Sequence, residues 1–157
     1  MTSPPRSSTT LALLDDLDLQ GLADFRVAMR RFLAASEAIS RSGRVTQQQY
    51  QAMLAIRTWR PSDGMTVGDL AETLLLTHHA AVQLVNRLAK AGLAVRTSSR
   101  VDRRSVLVTL TPGGEALLEK LAAQHLAEML RQEPLLSKSL RRLRSLGKES
   151  AENGNAS

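Results

Sequence analysis

Cysteine is absent from these 157 residues, which excludes disulfides, thiolate metal sites and any thiol-based redox switch within the chain. Aromatic residues are scarce as well: two Phe, one Tyr and one Trp make up 3% of the chain and leave little from which to build a stacking pocket. No apolar run approaches the ~20 residues that span a bilayer. The opening MTSPPRSSTT is polar and Pro/Ser-rich, not basic and then apolar as an export signal would be. Neither membrane insertion nor export is expected, and a cytoplasmic location follows. With three histidines and no cysteine, no set of nucleophile, base and oxyanion partner can be assembled, so neither an enzyme nor a cofactor is expected. The adjacent His78 and His79 would point ~100° apart on a helix, where zinc needs three or four convergent ligands, so no metal site is expected there. His125 is isolated and reads as an ordinary surface or interface histidine.

What the chain does have is positive charge. Lysine and arginine number 21 against 15 acids, a net +6, which suits a polyanion such as nucleic acid or an anionic membrane without choosing between them. The distribution says more. Between Thr77 and Ser105 stand Arg87, Lys90, Arg96, Arg100, Arg103 and Arg104, against Asp102 alone.

The length allows one good core, so the chain reads as a single domain over residues 14–147, with tails at 1–13 and 148–157 that lack periodicity. Leu22, Phe25, Met29, Phe32 and Leu33 recur at helical spacing and Gly43 stands just past their end, giving a first helix over about 15–42. Asp15, Asp16 and Asp18 place negative charge at its start, where the helix dipole favours it. Thr46 and Gln49 fit a capping box for a second helix carrying Tyr50, Met53, Leu54 and Arg57 toward the breaker RPSDG. Thr66 and Asp69 open a third, about two turns long, with Val67, Leu70, Ala71 and Leu74 as its apolar stripe. Thr77 caps a fourth only three residues later. Two helices joined by a link as short as LLL must cross sharply, as in a helix-turn-helix, and the greasy link is expected to be packed.

On the fourth helix, residues 78–91, Ala81, Leu84, Val85 and Leu88 share one face, and His79, Gln83, Asn86, Arg87 and Lys90 share the other. Gly92 stops it. A hairpin follows, with Val95 and Thr97 on one arm and Val106, Val108 and Leu110 on the other. Thr111 and Pro112 open a long helix to about residue 132, with Gly113-Gly114 as a helix start kept small for close packing, since no Gly-Lys-Ser/Thr phosphate loop follows. Pro134 is expected to end it, and a last helix over 135–146 carries Leu136, Leu140 and Leu143, its SLRRLRSL run forming a solvated basic face.

This order of elements resembles the MarR family of transcriptional regulators, and so do the residues. TQQQYQAMLAI resembles the family's second helix, TVGDLAETLLLTHHAAVQLVNRLAKAGLAVR its helix-turn-helix, and DRRSVLVTLTPGGEALL its wing and following helix. The most specific element is Asp102, Arg104, Leu110, Thr111 and Gly114 in their spacing, within a match running from Leu17 to Leu146. The resemblance implies a mainly α fold with a small β-hairpin wing: a winged helix-turn-helix over about 46–110, flanked by dimerisation helices over about 15–42 and 112–146. It implies a homodimer whose recognition helices enter major grooves of a pseudo-palindromic operator in double-stranded DNA, with the wings in the flanking minor grooves. On that pattern Thr77, His78, His79, Gln83, Asn86 and Arg87 form the recognition surface, with Thr77 near phosphate. Arg104 is the inserted or phosphate-contacting wing arginine, Asp102 holds its guanidinium, and Arg100 and Arg103 clamp the backbone.

The function implied is a sequence-specific regulator, a repressor released by a small aromatic or phenolic effector. Tyr50, Trp59, Met29 and Met53 are candidates to line an effector pocket, and core packing explains all four equally well, so the effector site stays unassigned. The other reading is a winged-helix module for protein interaction or scaffolding, without sequence-specific DNA binding. Such a module has no need of wing arginines or a cationic recognition face.

Overall fold

A computed structural model describes residues 16–60, 64–100, 102 and 104–153, with side chains to residue 144. The expected N-terminal tail, Asp15, the middle of the RPSDG breaker, Arg103 and the last four residues lie outside the described residues. The elements are α1 (Asp16–Ser42), α2 (Gln47–Thr58), β1 (Met65–Thr66), α3 (Val67–Thr73), α4 (His78–Lys90), β2 (Ala94–Ser98), β3 (Val106–Leu110) and α5 (Pro112–Asn153). The fold is mainly helical with a small antiparallel wing sheet.

The chain forms two compact units. One is Ala34–Glu128; the other comprises α1 up to Leu33 and α5 from Met129 on. The first holds the core, where Met53, Met65, Leu70, Leu84, Leu88, Val85, Val108 and Leu121 are fully buried. The expected caps are in place. Thr46 and Thr66 each accept from the backbone three residues on, with Gln49 and Asp69 returning the bond, and Thr77 Oγ1 accepts from Ala80.

The sheet has three strands in the order β1-β3-β2, one more than the hairpin. Met65 pairs with Val108 and Thr66 with Leu107, so Thr66 ends a strand and caps a helix at once. A strand of two residues has no alternation to read. The LLL link differs from expectation too: Leu75 is 93% exposed with φ +55°, while its neighbours Leu74 and Leu76 pack on the core. Gly114 is needed as the sequence suggests, because a Cβ there would stand 2.0 Å from the Leu93 carbonyl oxygen. That carbonyl also accepts from Thr111 N, and Thr111 Oγ1 donates to Gly92 O, so the start of α5 is stapled to the end of α4.

In the other unit, Asp16 and Asp18 occupy the first turn of α1 as expected, and Ala28 is fully buried. The two helices expected around Pro134 are a single helix that continues to Asn153, so the backbone of 148–153 is helical where a tail was expected. Pro134 removes one backbone donor, but it sits between strong helix-forming runs, and one missing bond does not end the helix.

Candidate nucleic-acid interface

The amphipathic pattern of α4 fixes what it presents. Ala81, Leu84, Val85 and Leu88 are buried, while Thr77, His78, His79, Gln83, Asn86, Arg87 and Lys90 are exposed. The expected recognition residues thus share one solvent-facing surface. His78 and His79 meet no metal set, since no group of three or more His, Asp or Glu side chains among the described residues could hold an ion.

The wing is built by β2 and β3 in antiparallel register, Ala94 opposite Leu110 and Ser98 opposite Val106. Its turn is closed by local hydrogen bonds. Ser99 N donates to Ser105 O at 3.0 Å and Ser105 N to Asp102 O at 2.9 Å. Asp102 N donates to Ser99 Oγ at 3.2 Å. The Asp102 carboxylate accepts from the backbone N–H of Arg104 at 2.9 Å and from Ser105 Oγ at 3.1 Å. The Asp102 carboxylate is thus bonded within the turn that displays Arg104. Arg100 and Arg104 are exposed on this turn, and Arg103 lies outside the described residues.

One contact joins helix to wing. Arg96 Nη1 donates to Asn86 Oδ1 at 2.6 Å. Arg96 lies on the face of β2 that carries buried Ala94, opposite buried Val108, which aims it at α4. Sequence reasoning counted Arg96 only as charge; the two-residue alternation from Ala94 is the signal that singles it out. Arg96, Arg104, His78 and Thr66 line an open groove of about 310 Å³ between α4 and the wing. A second groove of about 700 Å³ runs past the start of α2, with Gln47, Gln48 and Arg87 on its wall and an Arg41–Glu37 ion pair of 2.6 Å at its edge.

The candidate effector residues fall in both units. Tyr50 and Met53 are core, Trp59 packs against that core from the end of α2, and Met29 belongs to the other unit. His125 requires a correction. It is 5% exposed and stacks on Tyr50, with ring centroids 3.9 Å apart and 5° between planes. Its Nδ1 faces Leu121 O at 2.8 Å, an acceptor only, so Nδ1 carries the proton. Its Nε2 lies 2.9 Å from Ser36 Oγ, which also accepts from Gln47 Nε2 at 3.0 Å. In the neutral ring the Ser36 hydroxyl therefore donates to Nε2. A partner 89 positions away in sequence leaves no local trace. Burial also raises the Tyr50 hydroxyl above its ordinary value of 10.0.

Comparison with known proteins agrees with this geometry. The chain is 35% identical over 78 residues to the transcriptional activatory protein BadR of Rhodopseudomonas palustris, a match covering 50% of this chain and 45% of BadR. It spans about half the length of the curated relatives it matches first. Among solved structures, AbsC, a MarR family transcriptional regulator from Streptomyces coelicolor, has a TM-score of 0.69 at 21% identity over 92% of this chain and 98% of AbsC. The MepR–DNA complex of S. aureus has a TM-score of 0.66 at 19% identity over 82% of this chain and 94% of MepR. At such identities the structural likeness carries the fold alone. The family match falls on the winged helix itself: residues 45–105 match the model of the MarR family.

Proposed function

We propose that this protein is a DNA-binding transcriptional regulator. The observation that carries the reading is that Arg87 and Lys90 on α4 and Arg96, Arg100 and Arg104 on the wing are all exposed, with helix and wing joined through the Arg96–Asn86 bond. A helix with such a face enters the major groove, and a wing arginine meets phosphate or the narrow minor groove. Thr77, His78, His79, Gln83 and Arg87 are read as the groove-facing set, Arg100, Arg103 and Arg104 as the wing contacts, and Asp102 as the residue that shapes the turn. Acting on the chromosome, the protein works in the cytoplasm. The test is a mobility shift on the DNA upstream of its own gene across a salt series. Binding must weaken steeply with salt, and Arg104→Ala must weaken it on specific and random duplex alike; salt-independent binding would refute the reading.

The active form is proposed to be a homodimer on a pseudo-palindromic operator with half-sites about one helical turn apart. In support, Leu17, Leu19, Met129 and Leu130 on α1 and α5 are more than half exposed in the single chain, an arrangement that a second copy would cover. Removal of residues from Leu135 on is expected to give aggregates or weak DNA binding; a well-behaved truncated dimer of full affinity in sedimentation would refute this interface. Regulation is proposed to be repression by operator occupancy, released by a small aromatic or phenolic effector. Reporter expression in cells lacking the protein decides the sign, and a fall in its expression there would instead place the protein with activators such as BadR.

A further inference from the structure

We propose that the groove between α4 and the wing is a phosphate site for the DNA backbone, with Arg96 as its ligand and Asn86 as a positioning residue. This rests on the DNA-binding reading above and assigns the two residues roles that neither their helix face nor their charge indicates.

An asparagine on a recognition helix reads adenine through both ends of its amide, the oxygen accepting from N6 and the nitrogen donating to N7. The Asn86 oxygen already accepts from Arg96 at 2.6 Å and keeps a second lone pair, so the bond fixes the amide in place whether or not a base also reaches it. What the bond does is hold a guanidinium. The Asn86 amide, unlike a carboxylate, leaves the charge of Arg96 intact, and a guanidinium giving one N–H to Asn86 keeps four more in a planar fork suited to a phosphate. Strand alternation points Arg96 toward α4, so backbone and side chain fix it together.

The surroundings fit an anion. Arg104 lines the same groove from the wing turn and His78 lines it from the first turn of α4, while no acidic side chain is among the described residues that line it. The nearby Asp69 carboxylate is spent on the backbone N–H and hydroxyl of Thr66 in the cap of α3. Two guanidinium groups repel each other across one small groove until an anion lies between them. A phosphodiester bound there would tie the recognition helix and the wing to one point of the backbone and so set the register in which the base-reading residues meet the grooves.

The experiment measures binding of a mixed-sequence duplex of about 30 base pairs by anisotropy over a salt series, which isolates backbone contacts. Arg96→Ala is expected to weaken binding about tenfold at low salt and to reduce the slope of log K against log salt by about 0.9 for each chain bound. Arg96→Lys keeps the charge without the fork, and should restore the slope while recovering only part of the affinity. Asn86→Ala should weaken binding about three- to tenfold with little change in slope, and should have no further effect in an Arg96→Ala background. Thermal melts of these exposed-site variants should match the parent. A parental slope for Arg96→Ala overturns the site, and independent, multiplying losses in the double variant overturn the positioning role of Asn86. A loss in Asn86→Ala seen only on a preferred sequence also overturns that role, in favour of base reading. If the parent binds no duplex at any salt, the DNA-binding reading itself fails and the site with it.

Discussion

At the ends of α1, α3 and α4 the chain repeats one hydrogen-bonding pattern with three different residues at its left-handed position. Val45 N bonds to Ser40 O and Arg44 N to Arg41 O; Leu76 N bonds to Ala71 O and Leu75 N to Glu72 O; Leu93 N bonds to Leu88 O and Gly92 N to Ala89 O. These are Schellman caps, and the residue in the αL conformation is Arg44, Leu75 or Gly92. Glycine is at ease there; a side chain costs about 1–2 kcal/mol. Gly43 looks like the glycine of the first cap but serves another need, since a Cβ would stand 2.9 Å from the Leu121 side chain, and the strain passes to Arg44. Because Leu75 has almost no packing to lose, Leu75→Gly should stabilise the protein by about 0.5–1 kcal/mol after the added freedom of the unfolded chain is counted. A lower denaturation midpoint would mean that the leucine is covered in the native assembly. Tyr50 gives a second residue-level expectation. Burial raises its pKa in the fold, so the unfolded chain releases this proton first. The stability held in the neutral hydroxyl is fully present below the ordinary value of 10.0 and is lost as pH rises through the raised folded value. Denaturant midpoints should fall above about pH 10, and Tyr50→Phe should lack that portion of the fall.

Elements were legible where their ends carry chemistry. Thr46, Thr66, Thr77 and Thr111 each name a helix start, because a hydroxyl that can take a backbone N–H is a local property. The same locality explains what was missed. β1 exists only through its pairing with Val108 and Leu107, and His125 is defined by Tyr50 and Ser36, both far off in sequence. In the candidate site, the exposed face of α4 followed from its period, whereas the Arg96–Asn86 bond and the backbone role of Asp102 depend on how strand and turn are placed. Proline misled because its effect depends on its neighbours: α5 runs through Pro134, with Ser139 Oγ giving a further bond to Leu135 O just beyond. Since the proline is exposed and its nitrogen cannot donate, Pro134→Ala should restore one backbone bond and raise stability by about 1–3 kcal/mol. An unchanged or lowered thermal midpoint would show that the helix is interrupted there in solution.

Over the whole molecule the two units carry the same net charge, +3 each, but within Ala34–Glu128 the positive charge is gathered into one run. The run from Thr77 to Ser105, which holds most of the excess of basic residues, falls entirely in Ala34–Glu128, together with the buried core cluster. The other unit keeps Leu17, Leu19, Leu22, Met129, Leu130 and Leu140 largely uncovered in one chain. The sequence conveyed the first half of this, because a cationic face and an apolar stripe are both periodic. It did not convey the division into units, since α1 and α5 each pass through both without a break in pattern.

Trp59, the only tryptophan, ends α2 inside the winged-helix unit, with its indole Nε1 buried and without a hydrogen-bond partner among the described residues. Optically, then, one unit is lit and the other is dark. Tryptophan emission reports on Ala34–Glu128 alone, while far-UV circular dichroism is weighted by the long helices shared with the other unit. In dilute protein, urea should unwind the sparsely buried ends of α1 and α5 before it reaches the chromophore, so the dichroism transition should precede the emission transition. Superimposable curves at every protein concentration would mean that the two units melt as one cooperative body.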